Sequence, residues 1–217
     1  IFGYQPTENF NFYAGPVYQT IEGDVQLRGL AYGATQALGM YNADLDEDGA
    51  VGWLAGFAYQ IPEIALKTSI TYRSEIDHKA SAREYGQSNV LAFVGSSPVY
   101  DVATDANITT PQSVNLDFQT GIMANTVAFA NVRWVNWKDF SLDLKQFGTV
   151  ADTLGALGQT PDNPNGFDIV GYTDDQWSAN VGVGRKFNDL WAGNVSVGWD
   201  SGAGNPISTL GPTEGYW

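Results

Sequence analysis

The run Asp44-Leu45-Asp46-Glu47-Asp48-Gly49 groups four carboxylates within five positions, and its spacing resembles the start of an EF-hand calcium loop. Such a loop closes with a bidentate glutamate at its twelfth position. Here that position is Ala55, inside a stretch patterned as a strand. The run therefore reads as a solvated acidic loop end, and no metal is expected. Glu75, Asp77 and Asp117 fall on the polar positions of alternating stretches. Paired carboxylates can cleave glycosides, but only at a defined separation that a polar wall does not by itself supply. His78 is the single histidine, so Ser–His chemistry would have to use it. No nucleophile motif accompanies it, and it reads as a solvated rim residue. Arg73 and Arg133 stand mid-strand on the same polar faces. An arginine so placed can hold a carboxylate through two parallel hydrogen bonds. Because inward acids outnumber the arginines, a structural network of Arg73 and Arg133 with Glu75, Asp77 and Asp117 is expected, since unpaired charge is costly. These residues point to no enzyme activity and to no cofactor.

The elements that carry them are strands. In Pro111–Phe140, Val114, Leu116, Phe118 and Ile122 alternate with Ser113, Asn115, Asp117 and Gln119. A short turn at Ala124-Asn125 follows, and then Ala128, Ala130, Val132 and Trp134 alternate with Asn131 and Arg133. A period of two marks a strand with one apolar and one polar face. Further stretches of this kind are Asn9–Glu22, Val51–Ile61, Ile64–His78, Gln176–Phe187 and Leu190–Asp200. Turns of a few residues, at Pro6–Glu8, Pro62-Glu63, Ala124-Asn125 and Asn188-Asp189, alternate with the long segments Gly23–Ala50, Lys79–Thr110, Ser141–Asp175 and Ser201–Gly215. Soluble domains rarely hold several long loops. Short turns at one end and long loops at the other are the habit of outer-membrane barrels. The apolar spacing in Val25–Tyr41 predicts one or two short helices over the barrel mouth.

Composition agrees with such a wall. Charged residues make up 16% of 217, and tryptophans, six of the seven in or beside the strands, suit aromatic girdles. The mean hydropathy is −0.19, as expected when one face is polar. A net charge of −14 argues against nucleic acid and against an electrostatic hold on an anionic membrane. Cysteine is absent, so no disulfide framework or thiolate metal site exists. No run of eighteen apolar residues could form a membrane-spanning helix. A water-soluble secreted β-sandwich that binds sugars, and a general porin or structural barrel, are the rival classes.

Three stretches resemble the FadL-type long-chain fatty acid and hydrocarbon transporters of Gram-negative outer membranes. They are GWLAGFAYQIPEIALKTSITYRS at Gly52–Ser74, TPQSVNLDFQTGIMANTVAFANVRWVNWKDF at Thr110–Phe140, and DLWAGNVSVGWDSGAGN at Asp189–Asn205. The TYRSE run at Thr71–Glu75 and the VNW-x-x-F run at Val135–Phe140 are the most specific pieces. The resemblance implies an all-β antiparallel transmembrane barrel, with residues 1–217 forming one partial barrel domain. About seven strands would belong to a larger, fourteen-stranded wall whose N-terminal plug and flanking strands lie elsewhere. It implies a monomer that meets outer-membrane lipid and moves a long-chain fatty acid or another hydrophobic small molecule. The family's inner pocket places basic residues near the ligand carboxylate. The corresponding stretches here read YQTIEGD at Tyr18–Asp24 and YTDDQW at Tyr172–Trp177, which makes an uncharged hydrocarbon a fair alternative substrate.

Two of the long loops carry apolar clusters, Leu27, Leu30, Leu38 and Tyr41 in the first and Val90, Leu91, Phe93 and Val94 in the second. Exposed clusters of this kind mark a binding groove or loop-to-loop packing. The expectation is an external groove for the hydrophobic ligand, with packing between the loops as the alternative.

Overall fold

The computed structural model describes residues 1–28 and 40–204. It is almost entirely antiparallel sheet. The strands are β1 (Phe2–Tyr4), β2 (Phe10–Leu27), β3 (Met40–Ile61), β4 (Leu66–Arg73), β5 (Ile76–Gln87), β6 (Val99–Thr110), β7 (Ser113–Met123), β8 (Thr126–Val135), β9 (Ser141–Leu142), β10 (Val170–Gly171), β11 (Gln176–Lys186) and β12 (Ala192–Asp200), with one α-helix among the described residues, α1 (Lys145–Ala156). The wall runs β1-β2-β3-β4-β7-β8-β11-β12 and is not closed. β5 leaves this path to pair with β3 and β6.

Strand length separates two regions. β7, β8, β11 and β12 have 11, 10, 11 and 9 residues, the length of a tilted bilayer crossing. β2 and β3 run to 18 and 22 residues and rise beyond the wall as a hairpin, beside a second hairpin made of β5 and β6. The opposite end is closed tightly. A 3-10 turn at Pro62–Ile64 leads to Ala65 in the left-handed region, and Asn125 takes φ 57° between β7 and β8, a conformation Asn tolerates.

The two faces differ in kind. On one, Leu116 and Phe118 of β7, Trp177, Val181 and Val183 of β11, and Val195, Val197 and Trp199 of β12 are all exposed. Leu66, Ile70 and Tyr72 of β4 share that face through pairing with β3 and β7. Aromatic pairs bracket the band. Trp53–Tyr72 at 5.0 Å and Trp134–Trp177 at 6.5 Å mark its upper edge, and Phe10–Tyr59 at 4.7 Å its lower edge. The other face carries Lys67, Ser69, Thr71, Arg73, Asn115, Asp117, Asn131 and Arg133, by strict alternation across the β4–β7–β8 register. Polar inside and apolar outside, the wall is an inverted core.

The packed core lies above the wall. Leu27, Tyr41, Ala43, Leu45, Ala80, Ala82, Val90, Leu91, Tyr100 and Ala106 from the two hairpins close around Leu144, Phe147, Val150, Ala151 and Leu154 at and within α1. The long segments Gly23–Ala50 and Lys79–Thr110 are thus mostly extended hairpins rather than irregular loops. Of the helix expected over Val25–Tyr41, Val25–Leu27 and Tyr41 belong to strands. Met40 also belongs to β3 and Arg28 follows β2, and residues 29–39 lie outside the described residues.

Candidate functional site: the mouth of the wall

α1 is seated by a residue from another element. Its own N-cap position, Leu144, offers no side-chain acceptor. The first amides of a helix have no partner within the helix. Glu84 of β5, fully buried, supplies one. The N–H of Gln146 donates to both carboxylate oxygens at 3.0 Å, and the N–H of Phe147 donates to Oε2 at 3.0 Å. The Tyr41 hydroxyl donates to the same Oε2 at 3.0 Å. A negative charge at this end is further favoured by the helix dipole. Burial and the Glu84 charge push the hydroxyls of Tyr41 and Tyr100 well above the ordinary phenol range. Rings complete the seat. Phe147 meets Tyr41 edge-on at 5.3 Å and Phe167 at 5.6 Å. Arg28 ties the strand ends below, with Nη1 donating to the Leu27 and Tyr41 carbonyls at 2.9 Å and Nη2 to Asn42.

Acids gather around the same helix end. Burial, and then the charges of Asp168, Asp152 and Glu84, hold the Asp143 carboxyl above the usual carboxylate range. Burial and Asp152 do the same to Asp168. Among the described residues no group of three or more His, Cys, Asp or Glu could hold a metal ion.

The expected groove residues divide. Leu27, Tyr41, Val90 and Leu91 are buried in the core against α1, so they line no open groove. Phe93 and Val94, at the tip of the β5–β6 hairpin, are 72% and 50% exposed. Leu30 and Leu38 lie outside the described residues.

The expected network of inner charges does not form. The Arg73 side chain has no hydrogen bond or ion pair among the described residues, and the Arg133 side chain donates only to Asn115 Oδ1 at 3.3 Å. Asp117 is engaged by Asn131 at 2.7 Å and Ser69 at 3.4 Å. The reason is a change of face between β4 and β5. Pairing stops at Ser74-Glu75, and above it the even-numbered residues turn inward. Asp77 consequently faces outward, where Thr109 Oγ1 donates to it at 2.7 Å. Glu75 is exposed beside the break. His78 departs from expectation too. It is buried rather than solvated, and its Nδ1 lies 3.0 Å from Asp48 Oδ2. Asp44–Gly49 is part of β3, not a loop end.

A polar-lined barrel wall with long hairpins can be compared with known channels. TodX, the toluene transporter of Pseudomonas putida, superposes with a TM-score of 0.53 at 16% identity, covering 92% of this chain and 53% of that one. The Ralstonia pickettii toluene transporter TbuX gives 0.51 at 13% identity, with 92% and 53% covered. A deltaS2S3 mutant of the TodX monoaromatic hydrocarbon channel gives 0.53 at 14%, with 99% and 56% covered. The chain has the fold of part of a FadL-type barrel wall. It spans about half the length of these channels. No protein-family model matches it, and no curated protein does. In this FadL-type wall the two hairpins pack against a helix in the long segment Ser141–Asp175, where sequence patterning marked no helix. Its signal was present: Phe147, Val150, Ala151 and Leu154 recur at helical spacing. Glu84 carried no signal, because its partners come from a different element.

Proposed function

We propose that this chain is part of an outer-membrane channel of Gram-negative type that admits hydrophobic small molecules, with no enzymatic step. The observation that carries the reading is the inverted wall. Strands of about ten residues expose Leu, Val, Phe and Trp on one side and amides, hydroxyls and charges on the other. Such a surface is stable only with hydrocarbon outside and a hydrated or occupied lumen inside. The likeness to channels named for toluene and monoaromatic hydrocarbons supports an uncharged aromatic or aliphatic substrate. Capture would begin at the hairpin tips, where Phe93 and Val94 are exposed. An apolar solute gains about 0.8 kcal/mol for each methylene it buries and needs no charged contact.

A second reading, a long-chain fatty acid, has one specific observation in its favour. Arg73 and Arg133 face the lumen without a carboxylate partner. Transport of toluene and of a long-chain fatty acid should be measured with the full-length protein in lipid vesicles. Arg73→Gln with Arg133→Gln should leave toluene flux unchanged under the first reading. A selective loss of fatty acid flux would establish the second, and no flux of either compound would remove the channel reading.

A further inference from the structure

The wall contains a window. β3 pairs with β4 from Ile61↔Leu66 up to Leu54↔Arg73, and with β5 from Leu45↔Ala82 up to Met40↔Gln87. Between these limits, Asp46–Trp53 and Ser74–Ser81 form no ladder. Leu45 and Leu54 are as far apart in sequence as Arg73 and Ala82. No residue is therefore gained or lost across the gap, and unequal strand length does not explain it.

Phase explains it. Opposite β2, β3 carries one extra residue between Ile21↔Asp48 and Gly23↔Leu45, and there it changes face. The other strand changes face lower down, at Ser74-Glu75. Between the two switches the strands are out of step. Val51 and Trp53 are exposed on the outer side while Ile76, His78 and Ala80 are buried on the inner side. Residues opposed across a ladder must share a face. The main chains cannot pair until both strands have switched, so the gap is built into the sequence.

Side chains fill it. At the lower end Ser74 Oγ accepts from the Trp53 N–H at 3.0 Å, and Ile76 lies over Gly52, where an added Cβ would stand 2.6 Å from Ile76 Cγ1. In the middle the Asp48 carboxylate accepts from the Lys79 N–H at 3.3 Å and contacts His78 Nδ1 at 3.0 Å. The Ser74 N–H also donates to the Trp53 carbonyl at 2.9 Å, and above that level, among the described residues, the two Asp48 contacts are the only hydrogen bonds that cross before Leu45–Ala82. The Nε2 of His78 is buried there without a partner.

We propose that Asp48 is a strap across this window, and that its release lets β5 bow away from β3 between the two paired ends. The break of β6 from β7 at Pro111-Gln112, opposite Ser74-Glu75, gives the hairpin the freedom to follow. Opening would uncover the inner side at Ile76, His78 and Ala80 toward the outer surface just above the Trp53–Tyr72 belt.

These 217 residues hold no cysteine, so an introduced one is the only thiol among them, and its labelling is read against the full-length parent without it. Ala80→Cys places a thiol at a position that is 1% exposed on the inner side of the window, and Ala151→Cys places one in α1, at 0%. Labelling by a membrane-impermeant thiol reagent is followed in the full-length protein in vesicles. Asp48→Ala should speed labelling at position 80 by about tenfold and leave position 151 unchanged, as for a local opening. Asp48→Asn, which keeps an acceptor for Lys79, should stay near the parent rate. A rate at position 80 unmoved by Asp48→Ala, or an equal rise at both positions, would overturn the proposal. A second arm uses no destabilising change at Asp48. Gly52→Cys with Ser74→Cys brings thiols together where the added Cβ would lie 2.7 Å from Ser74 Oγ. Their disulfide should slow amide exchange over Ile76–Ala80, and reduction should restore it. Exchange that ignores the disulfide would equally overturn the strap.

Discussion

Glu84 on β5 caps a helix that begins at Lys145, far along the chain: the backbone N–H of Phe147, 63 residues on, donates to its carboxylate at 3.0 Å, inside a fully buried contact. This single relation joins the β5–β6 hairpin to the segment that follows β8. It fixes where α1 sits against the two hairpins and gives their cluster a centre. Leaving buried donors unsatisfied costs about 1–3 kcal/mol for each group. Glu84→Ala orphans two amides and the Tyr41 hydroxyl, so a loss of about 3 kcal/mol in α1 docking is expected. Amide exchange at Gln146 and Phe147 should rise sharply, while β7, β8 and β11 keep their protection. Glu84→Gln retains one acceptor oxygen and should fall between the parent and Glu84→Ala.

The acids around that helix end make docking depend on pH. Asp143 and Asp168 have carboxyls raised above the ordinary range by burial and by neighbouring acids. A group whose folded pKa is raised binds its proton more tightly when folded. Its stabilising effect is complete below the unfolded pKa, near 3.9, and is lost as pH rises through the folded value. Exchange in α1 should therefore slow as the pH falls from neutral toward the carboxylate range. Asp143→Asn should flatten that dependence and protect α1 at pH 7. A pH dependence that Asp143→Asn leaves unchanged would place its origin in other groups.

The outer band makes a separate forecast. Val181 faces outward on β11 and is 61% exposed, while its neighbour Asn180 lies opposite Asn131 on the inner side. Lysine in mid-bilayer on the lipid face of a barrel costs about 2–4 kcal/mol. Val181→Lys should lower folding stability in bilayers by that amount, and Asn180→Lys by far less. The comparison is made by denaturant titration of the full-length protein in vesicles.

What the sequence revealed follows from the range of each interaction. Alternation is local, and the apolar and polar faces of β4, β7, β8, β11 and β12 are legible directly from it. The short turns were legible for the same reason, through Pro62, Asn125 and Asn188. The rest depends on partners distant in sequence. Parity places Asp77 on the face of Arg73, because nothing local announces the switch at Ser74-Glu75. His78 looked solvated because Asp48 lies on another strand. The helical spacing of Phe147, Val150, Ala151 and Leu154 was local and could have been found; it was masked by the glycines and polar residues of the long segment around it. The acidic run at Asp44–Gly49 reads locally as a loop end, yet it lies within β3 and carries the bulge opposite β2.

The hairpin tip tests which apolar residues meet ligand and which only pack. Leu91 is 1% exposed and Phe93 is 72% exposed, two residues apart in one 3-10 turn. Truncating a buried leucine costs about 2–5 kcal/mol, because transfer energy is lost and a cavity remains. Leu91→Ala should therefore weaken α1 docking and lower the melting temperature. Phe93→Ala removes a ring that the fold does not use, and surface changes of this kind stay within about 0.5 kcal/mol. If the tip captures hydrophobic solutes, Phe93→Asp should reduce toluene binding while melting stays at the parent value. A Phe93→Asp protein that melts normally and binds toluene like its parent would show that the tip takes no part in capture. A Phe93→Asp protein that melts early would instead mean that the ring packs against something in the assembled channel.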